Sequence, residues 1–305
     1  MNRLRVGVIG LGIGEQHAPA FQSIPECELA ILCDSSSDAL ERVGRKFPRA
    51  ELIESADAVL ARSDIHIVSI ASYDDSHAEY VIKALENGKH VFVEKPLCRT
   101  FDELKNIKAA WLSAGKKRKL GSNLVLRGAP LYEWLKRQVL DKKLGQIYAF
   151  DGDYLYGRMR KITEGWRKDI KNYSVIEGGG IHLIDLMLWV LGDRPYSAMA
   201  VGNRICTRNT AFKYNDYVAA QFRFRSGLVG RVTANFGCVH RHHHVVRLFG
   251  TEATFIYDDA GARWHQARGS AVAVERCDCL FHLEQGRLRG VFERGLLRDE
   301  PAATR

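Results

Sequence analysis

The sequence predicts an α/β chain in two parts: a doubly wound parallel sheet over residues 1–123, then an α+β part over 124–305 with a large, mostly antiparallel sheet. Three observations point there. Up to about residue 123, short apolar runs alternate with single helix-length stretches, the pattern of parallel strands joined by crossover helices. Beyond Tyr196 strand follows strand, separated by turns such as Arg225-Ser226-Gly227 and Gly250-Thr251-Glu252, which suits antiparallel pairing behind a helical layer. At 305 residues and 46% hydrophobic, the chain is long for one core and apolar enough to fill two.

Residues 4–9, LRVGVI, form the first strand and run into Gly10-Leu11-Gly12-Ile13-Gly14, then into a helix with Glu15, Gln16 and His17. Gly10, Gly12 and Gly14 allow a tight turn, and the backbone around Ile13 can approach a pyrophosphate at the positive end of that helix. The third glycine follows the second by two residues where the dinucleotide fingerprint has three, so the turn is one residue short. A second strand, 28–33, ends at Asp34, at the spacing of the carboxylate that binds the adenosine ribose hydroxyls. A negative charge there repels a 2′-phosphate and favours NAD over NADP. Its other possible duty is to cap the helix that begins near Ser36.

Helices over 38–47 and 55–61, with a short strand at 51–53, lead to a β-branched strand at 65–70. The loop Ala71-Ser72-Tyr73-Asp74-Asp75-Ser76-His77 follows, then a helix that stops at Asn87-Gly88. The next strand, His90-Val91-Phe92-Val93, closes on Glu94-Lys95-Pro96. Proline ends it and leaves Lys95 at the carboxyl edge of the sheet, where open α/β sheets bind ligands. A lysine after a strand is most often a solvated loop residue; this one has an address suited to chemistry. A helix over 100–114 and a strand over 118–123 complete the first part.

In the second part a helix over 130–140 carries Leu131, Leu135 and Val139 on one side, and the strand 145–156 has aromatic residues on one face. The apolar helix 178–191, GGGIHLIDLMLWVL, places His182 and Asp185 at i and i+3, on one face. Strands follow at 197–206, 216–225, 228–236, 243–249 and 253–257, and the stretch from Cys277 to Arg305 is arginine-rich and weakly periodic.

Composition excludes several classes of function. The net charge of +9 is spread along the chain, and its one dense run, Lys116 to Lys119, lies in a turn without any nucleic-acid signature. An acidic small substrate is the partner such a balance still suits, and Arg127, Arg158, Arg160, Arg167, Lys168 and Tyr173 are placed to border a substrate cleft. No run reaches the ~20 apolar residues of a membrane span. Seven cysteines without any Cys-x-x-Cys fit reduced thiols, and the expected location is cytoplasmic. Of His240, His242, His243 and His244 only two share a strand face and no carboxylate is spaced to join them, so no metal is expected; a histidine-rich face of the exposed sheet is.

Three motifs together resemble the Gfo/Idh/MocA oxidoreductases, a family named for glucose–fructose oxidoreductase and inositol dehydrogenase. They are the glycine turn followed by His17, Gly88-Lys89-His90-Val91-Phe92-Val93-Glu94-Lys95-Pro96-Leu97, and Gly178-Gly179-Gly180-Ile181-His182-Leu183-Ile184-Asp185. The resemblance implies a Rossmann domain and an α/β domain whose open sheet makes a homodimer or homotetramer. It also implies NAD(P)-dependent hydride transfer at a hydroxyl or keto carbon of a sugar, cyclitol or nucleotide sugar. Carried over by position, Lys95 contacts the substrate hydroxyl and the nicotinamide ribose, Glu94 lies beside the cofactor, and Ser72 and His77 belong to the loop over it. His182 becomes the acid/base, with Asp185 orienting it or the substrate, and Arg127, Arg167 and Tyr173 complete the substrate contacts. The departure is Gly178, where many members carry an aspartate; it leaves open a catalytically inert NAD(H)-binding sensor or hetero-oligomer partner of the same fold.

Overall fold

The computed structural model describes residues 3–268 and 270–273, so the stretch from Cys277 onward lies outside the described residues. The chain divides into two compact units, one running to Gly128 and the other starting at Ala129.

The first unit alternates strand and helix: β1 (Leu4–Ile9), α1 (Gly14–Gln22), β2 (Cys27–Cys33), α2 (Ser37–Gly44), β3 (Glu51–Ile53), α3 (Ala56–Ala61), β4 (Ile67–Ile70), α4 (His77–Glu86), β5 (His90–Val93), α5 (Phe101–Ser113) and β6 (Leu120–Ser122). The six strands are parallel in the order β3-β2-β1-β4-β5-β6, and the order reverses between β1 and β4, where such sheets open a crevice at their carboxyl edge. Alternate strand residues feed two cores: Val6, Val8, Leu32 and Phe92 with Phe21 of α1 in one, Ile9, Ile31, Val68 and Val93 with Val81 of α4 in the other. The helices start where the side chains allow it. Ser36 and Ser55 cap α2 and α3, and Thr100 with Glu103 forms a reciprocal capping box on α5. Helix α2 ends at Gly44, three residues before the stretch expected from periodicity, because Arg45 to Ala50 fold into successive tight turns.

The second unit contains α6 (Pro130–Leu140), β7 (Ile147–Leu155), the single turn α7 (Arg160–Thr163), α8 (Ile181–Leu191), and strands β8 (Ser197–Asn203), β9 (Tyr217–Arg223), β10 (Val229–Asn235), β11 (His243–Gly250), β12 (Thr254–Asp258), β13 (Gly261–Ala267) and β14 (Ser270–Ala273). They pair in the order β14-β13-β12-β11-β7-β10-β9-β8, antiparallel except at β10 and β7. The sheet thus extends two strands past those the sequence pattern announced. On one face, Phe150, Gly152 and Tyr154 of β7 turn toward the helical layer, where Leu183 of α8 packs on Gly152. On the other, Asp151 and Asp153 meet Arg231, Arg247 and Thr233 in a half-buried charge network. Burial alone would raise the Asp153 carboxyl, but its bonds to Arg231, Thr233 and Arg247 hold it below the usual range. Among the described residues no helix is long and apolar enough to cross a membrane.

Candidate active site

In the first unit the glycine turn is fixed by its surroundings despite its short spacing. Gly10 has φ +89°, and a Cβ there would sit 2.5 Å from the Ala71 carbonyl oxygen, so neither its conformation nor its surroundings accept a side chain. Gly14 carries the close helix–strand approach: a Cβ would come within 2.9 Å of Val8 and 3.4 Å of Ala71. Over Gly12, nothing lies within 4 Å of where a Cβ would stand. Helix α1 starts without a side-chain cap, behind Ile13, which is 55% exposed. An uncapped helix start under open space is suited to a pyrophosphate.

Asp34 lies at the carboxyl end of β2, just before Ser36, which itself caps α2. Its carboxylate accepts the Leu11 N–H at 2.6 Å, fixing it against the glycine turn, and the Ser36 N–H at 2.9 Å, at the start of α2. Glu15, in the first turn of α1, is held by Arg42 and Lys46, whose hydrogen bonds lower its pKa.

A buried polar line runs beneath Lys95. His17 is fully buried, with Nδ1 2.8 Å from Ser69 Oγ of β4 and Nε2 3.1 Å from Glu94 Oε1 after β5. Asn123 donates to the same Glu94 oxygen at 2.5 Å, and the Lys95 N–H reaches the other at 3.3 Å. Burial works to raise the Glu94 carboxyl, but the His17 hydrogen bond and charge, the Asn123 amide and the Lys95 charge win and hold it at about 2. Glu94 is therefore a fixed anion beside the lysine. The line joins α1, β4, β5 and the end of β6, so Lys95 springs from backbone braced by four elements.

Ser72 and His77 also have definite places. His77 is fully buried; its Nδ1 is 2.7 Å from the Pro96 carbonyl oxygen and its Nε2 3.1 Å from that of Ser72. Ser72 Oγ pairs with Ser76 Oγ at 2.7 Å. His77 thereby ties the loop after β4 to the turn containing the cis Lys95–Pro96 bond. Arg127 sits in a short 3₁₀ turn, Val125–Gly128, at the end of this unit.

In the second unit, α8 is preceded by a π-helical turn, Ile176–Gly180, so the regular helix begins at Ile181 and not at Gly178. Its glycines lie against two tyrosines. A Cβ on Gly178 would lie 2.0 Å from the Tyr173 hydroxyl oxygen, and one on Gly179 2.3 Å from the Tyr154 ring. Tyr173, itself buried, fills the space that an acid at 178 would need. Tyr154 stacks on His182 with ring centroids 6.2 Å apart and is boxed by Tyr156, Phe236, His242 and His244 at 5.1 to 5.8 Å. Burial, above all, pushes its phenol far up, so it remains neutral. Asp185 is buried on α8. Arg167 lies 4.3 Å over the ring of Trp166.

The histidine run corrects one expectation. His242 and His244 do share a face, but it is the helix-covered side of the sheet around Tyr154, with His244 6.3 Å from His182. His243 turns to the opposite side and is buried, and His240 pairs with Asp259 at 3.0 Å. The residues that sequence reasoning left out are the braces: Ser69, Asn123, Tyr154, Tyr156, His242 and His244. The alternation of aromatic residues along β7 announced the tyrosines and the histidine run announced His242 and His244, but nothing announced Ser69 or Asn123.

A parallel sheet whose carboxyl edge offers an uncapped helix start, an anchored carboxylate and a braced lysine is a dinucleotide-binding arrangement. Residues 4–121 match the oxidoreductase family with an NAD-binding Rossmann fold, and residues 132–256 match the GFO/IDH/MocA C-terminal domain. The chain belongs to the Gfo/Idh/MocA oxidoreductase family. It is 25% identical to levoglucosan dehydrogenase of Pseudarthrobacter phenanthrenivorans, across 85% of this chain and 74% of that one. It is 27% identical to the NAD(+)-dependent scyllo-inositol 2-dehydrogenase of Bacillus subtilis, across 83% and 73%. The fold is shared with an oxidoreductase domain protein from Kribbella flavida, with a TM-score of 0.79 and 24% identity over 89% of this chain and 79% of that one. It is also shared with levoglucosan dehydrogenase in complex with NADH and levoglucosan, at 0.77 and 24% over 89% and 80%.

Proposed function

We propose that this chain is an NAD-dependent dehydrogenase that oxidises a hydroxyl of a sugar, cyclitol or related compound, or reduces the matching ketone. The observation that carries the reading is Lys95: a lysine at the carboxyl edge of the nucleotide-type sheet, held by the Ser69–His17–Glu94–Asn123 line. The relatives, a levoglucosan dehydrogenase and a scyllo-inositol dehydrogenase among them, support turnover over the inert alternative.

Each unit has its part. The first holds the nucleotide, with Gly10, Gly12, Ile13 and Gly14 cradling the pyrophosphate and Asp34, Ser72 and Glu94 bordering it; His77 supports that loop from behind. Asp34 is fixed by two N–H groups, and its negative charge disfavours a 2′-phosphate, hence NAD over NADP. Bound NAD supplies the hydride acceptor. The second unit binds substrate: His182 takes the hydroxyl proton as the C–H hydride leaves, and Asp185 orients it; Arg127, Arg167 and Tyr173 are the further substrate contacts. The Lys95 ammonium stabilises the alkoxide that develops. The cytoplasm is the compartment that fits the thiols, and the sheet face carrying Asp153 and Arg231 is the proposed homodimer or homotetramer surface.

The test follows NADH absorbance with a panel of sugars, cyclitols and nucleotide sugars. Lys95→Ala and His182→Ala should each lower kcat by roughly 10²–10⁴-fold while NADH still binds. A wild-type chain that turns over no panel member, or a Lys95→Ala chain as fast as wild type, would sink the reading.

A further inference from the structure

Between β7 and the π-helical turn, the second unit gathers three cations that have no acidic partner among the described residues. Arg158 lies 5.7 Å over the Tyr156 ring, and Tyr156 packs edge-on to His242 at 5.3 Å. Lys161 is one turn of α7 away, and Arg167 follows on the stacked Trp166. The neighbouring Arg160 is different: it pairs with Glu164 at 3.7 Å, on the solvent side. His242 Nε2 is buried with no hydrogen-bond partner. A buried ring nitrogen without a partner is costly, and a hydrogen-bonding ligand would relieve that cost.

The charges act on one another. Burial first, then Arg158, His243 and Lys161, push the His242 imidazole down to about 4. Burial first, then Arg158 and Arg167, lower the Lys161 ammonium. Arg158 and Arg167 also act together on Tyr154, whose ring stacks on His182. This is like-charge crowding that an anion would relieve, one aromatic ring away from the proposed acid/base.

We propose that the substrate carries a carboxylate or phosphate group, and that Arg158, Lys161 and Arg167, with an N–H from His242, receive it. The inference rests on the dehydrogenase reading and narrows its substrate class to acidic sugars and sugar phosphates. Two guanidiniums present planar forks to such a group, and the aromatic rings beneath Arg158 and Arg167 hold those forks in place.

Calorimetric titration of the full chain, with and without NADH, against glucuronate, glucose 6-phosphate and neutral glucose tests it. At least one acidic ligand should bind about tenfold or more tightly than glucose, with the margin shrinking at high salt. A glucuronate preference assigns the carboxylate, and a glucose 6-phosphate preference the phosphate. Arg158→Ser and Arg167→Gln should each erase about tenfold of that margin, whereas Arg225→Ser, over the Tyr196 ring, should leave it intact. Equal affinity for all three ligands, or a margin untouched by both variants, overturns the proposal. Turnover of neutral polyols without acidic preference would overturn it alone, and failure to bind NADH would count instead against the dehydrogenase reading.

Discussion

Replacing Gly178 with alanine tests whether the Tyr173 hydroxyl holds the space before α8. The added Cβ would stand 2.0 Å from that oxygen, 2.9 Å from the ring carbon bearing it and 3.5 Å from Phe236. A relaxed carbon–oxygen contact is about 3.2 Å or more, so the phenol must retreat by roughly 1 Å. It has little room, being buried with Phe212 edge-on at 5.9 Å. Overpacking of this kind costs about 1–3 kcal/mol, and alanine regains up to about 1 kcal/mol over glycine in a helix. The expected net loss is about 1–2 kcal/mol, or a drop in Tm of roughly 2–8 °C. Tyr173→Phe removes the oxygen and leaves the worst contact at 2.9 Å, so Gly178→Ala should cost about 1 kcal/mol less in that background. Thermal unfolding of the four proteins in this cycle gives the coupling directly. An unchanged Tm for Gly178→Ala, or strict additivity in the double variant, would refute the space-filling account of Gly178.

Further outcomes follow from the first unit and from the histidines. Gly10→Ala, forced to φ +89° and into the Ala71 carbonyl, should abolish NADH binding, read by fluorescence, with an accompanying loss of Tm. Asp34→Ser should raise NADPH affinity relative to NADH by about tenfold, since it removes the charge that repels a 2′-phosphate. Glu94 has a folded pKa of about 2, below its ordinary 4.5; its contribution is complete above about 4.5 and is lost as pH falls toward 2. His242, held at about 4 against an ordinary 6.5, adds an earlier loss as pH falls from 6.5 toward 4. In a pH series of urea midpoints, His242→Asn should flatten the upper window and Glu94→Gln the lower one; an unaltered profile in either variant would show that group to be uninvolved.

Much of the fold was legible because local chemistry and global topology agree. Strand length, β-branching and the Asn87-Gly88 stop place nearly every element of the first unit. The strands at β13 and β14 were missed because Gly261-Ala262-Arg263-Trp264 alternates weakly and its partners are long-range. The helix start at Gly178 was misplaced because three glycines carry no side-chain signal. Two tyrosines that arrive from elsewhere in the sequence, Tyr173 and Tyr154, lie where side chains at 178 and 179 would stand. Lys95, His182 and Asp34 stood out through spacing and address, but the atoms that brace or crowd them did not. Ser69 and Asn123 look like ordinary strand-end residues until the sheet aligns them, and His242 looked solvent-facing until strand register set its side.

The parallel pairing of β7 with β10, the one such pairing of the second sheet among the described residues, has a consequence for how the chain is made. Asp153 is tied to Arg231 and Arg247 at separations of 78 and 94 residues, so the central strand of the sheet leaves the ribosome well before either neighbour exists. Its face bearing Phe150, Tyr154 and Tyr156 must wait in the nascent chain until β10 and β11 emerge on both flanks. A cell making this protein faster than it can close that sheet should find it in aggregates, and slowing synthesis or lowering temperature should return it to the supernatant.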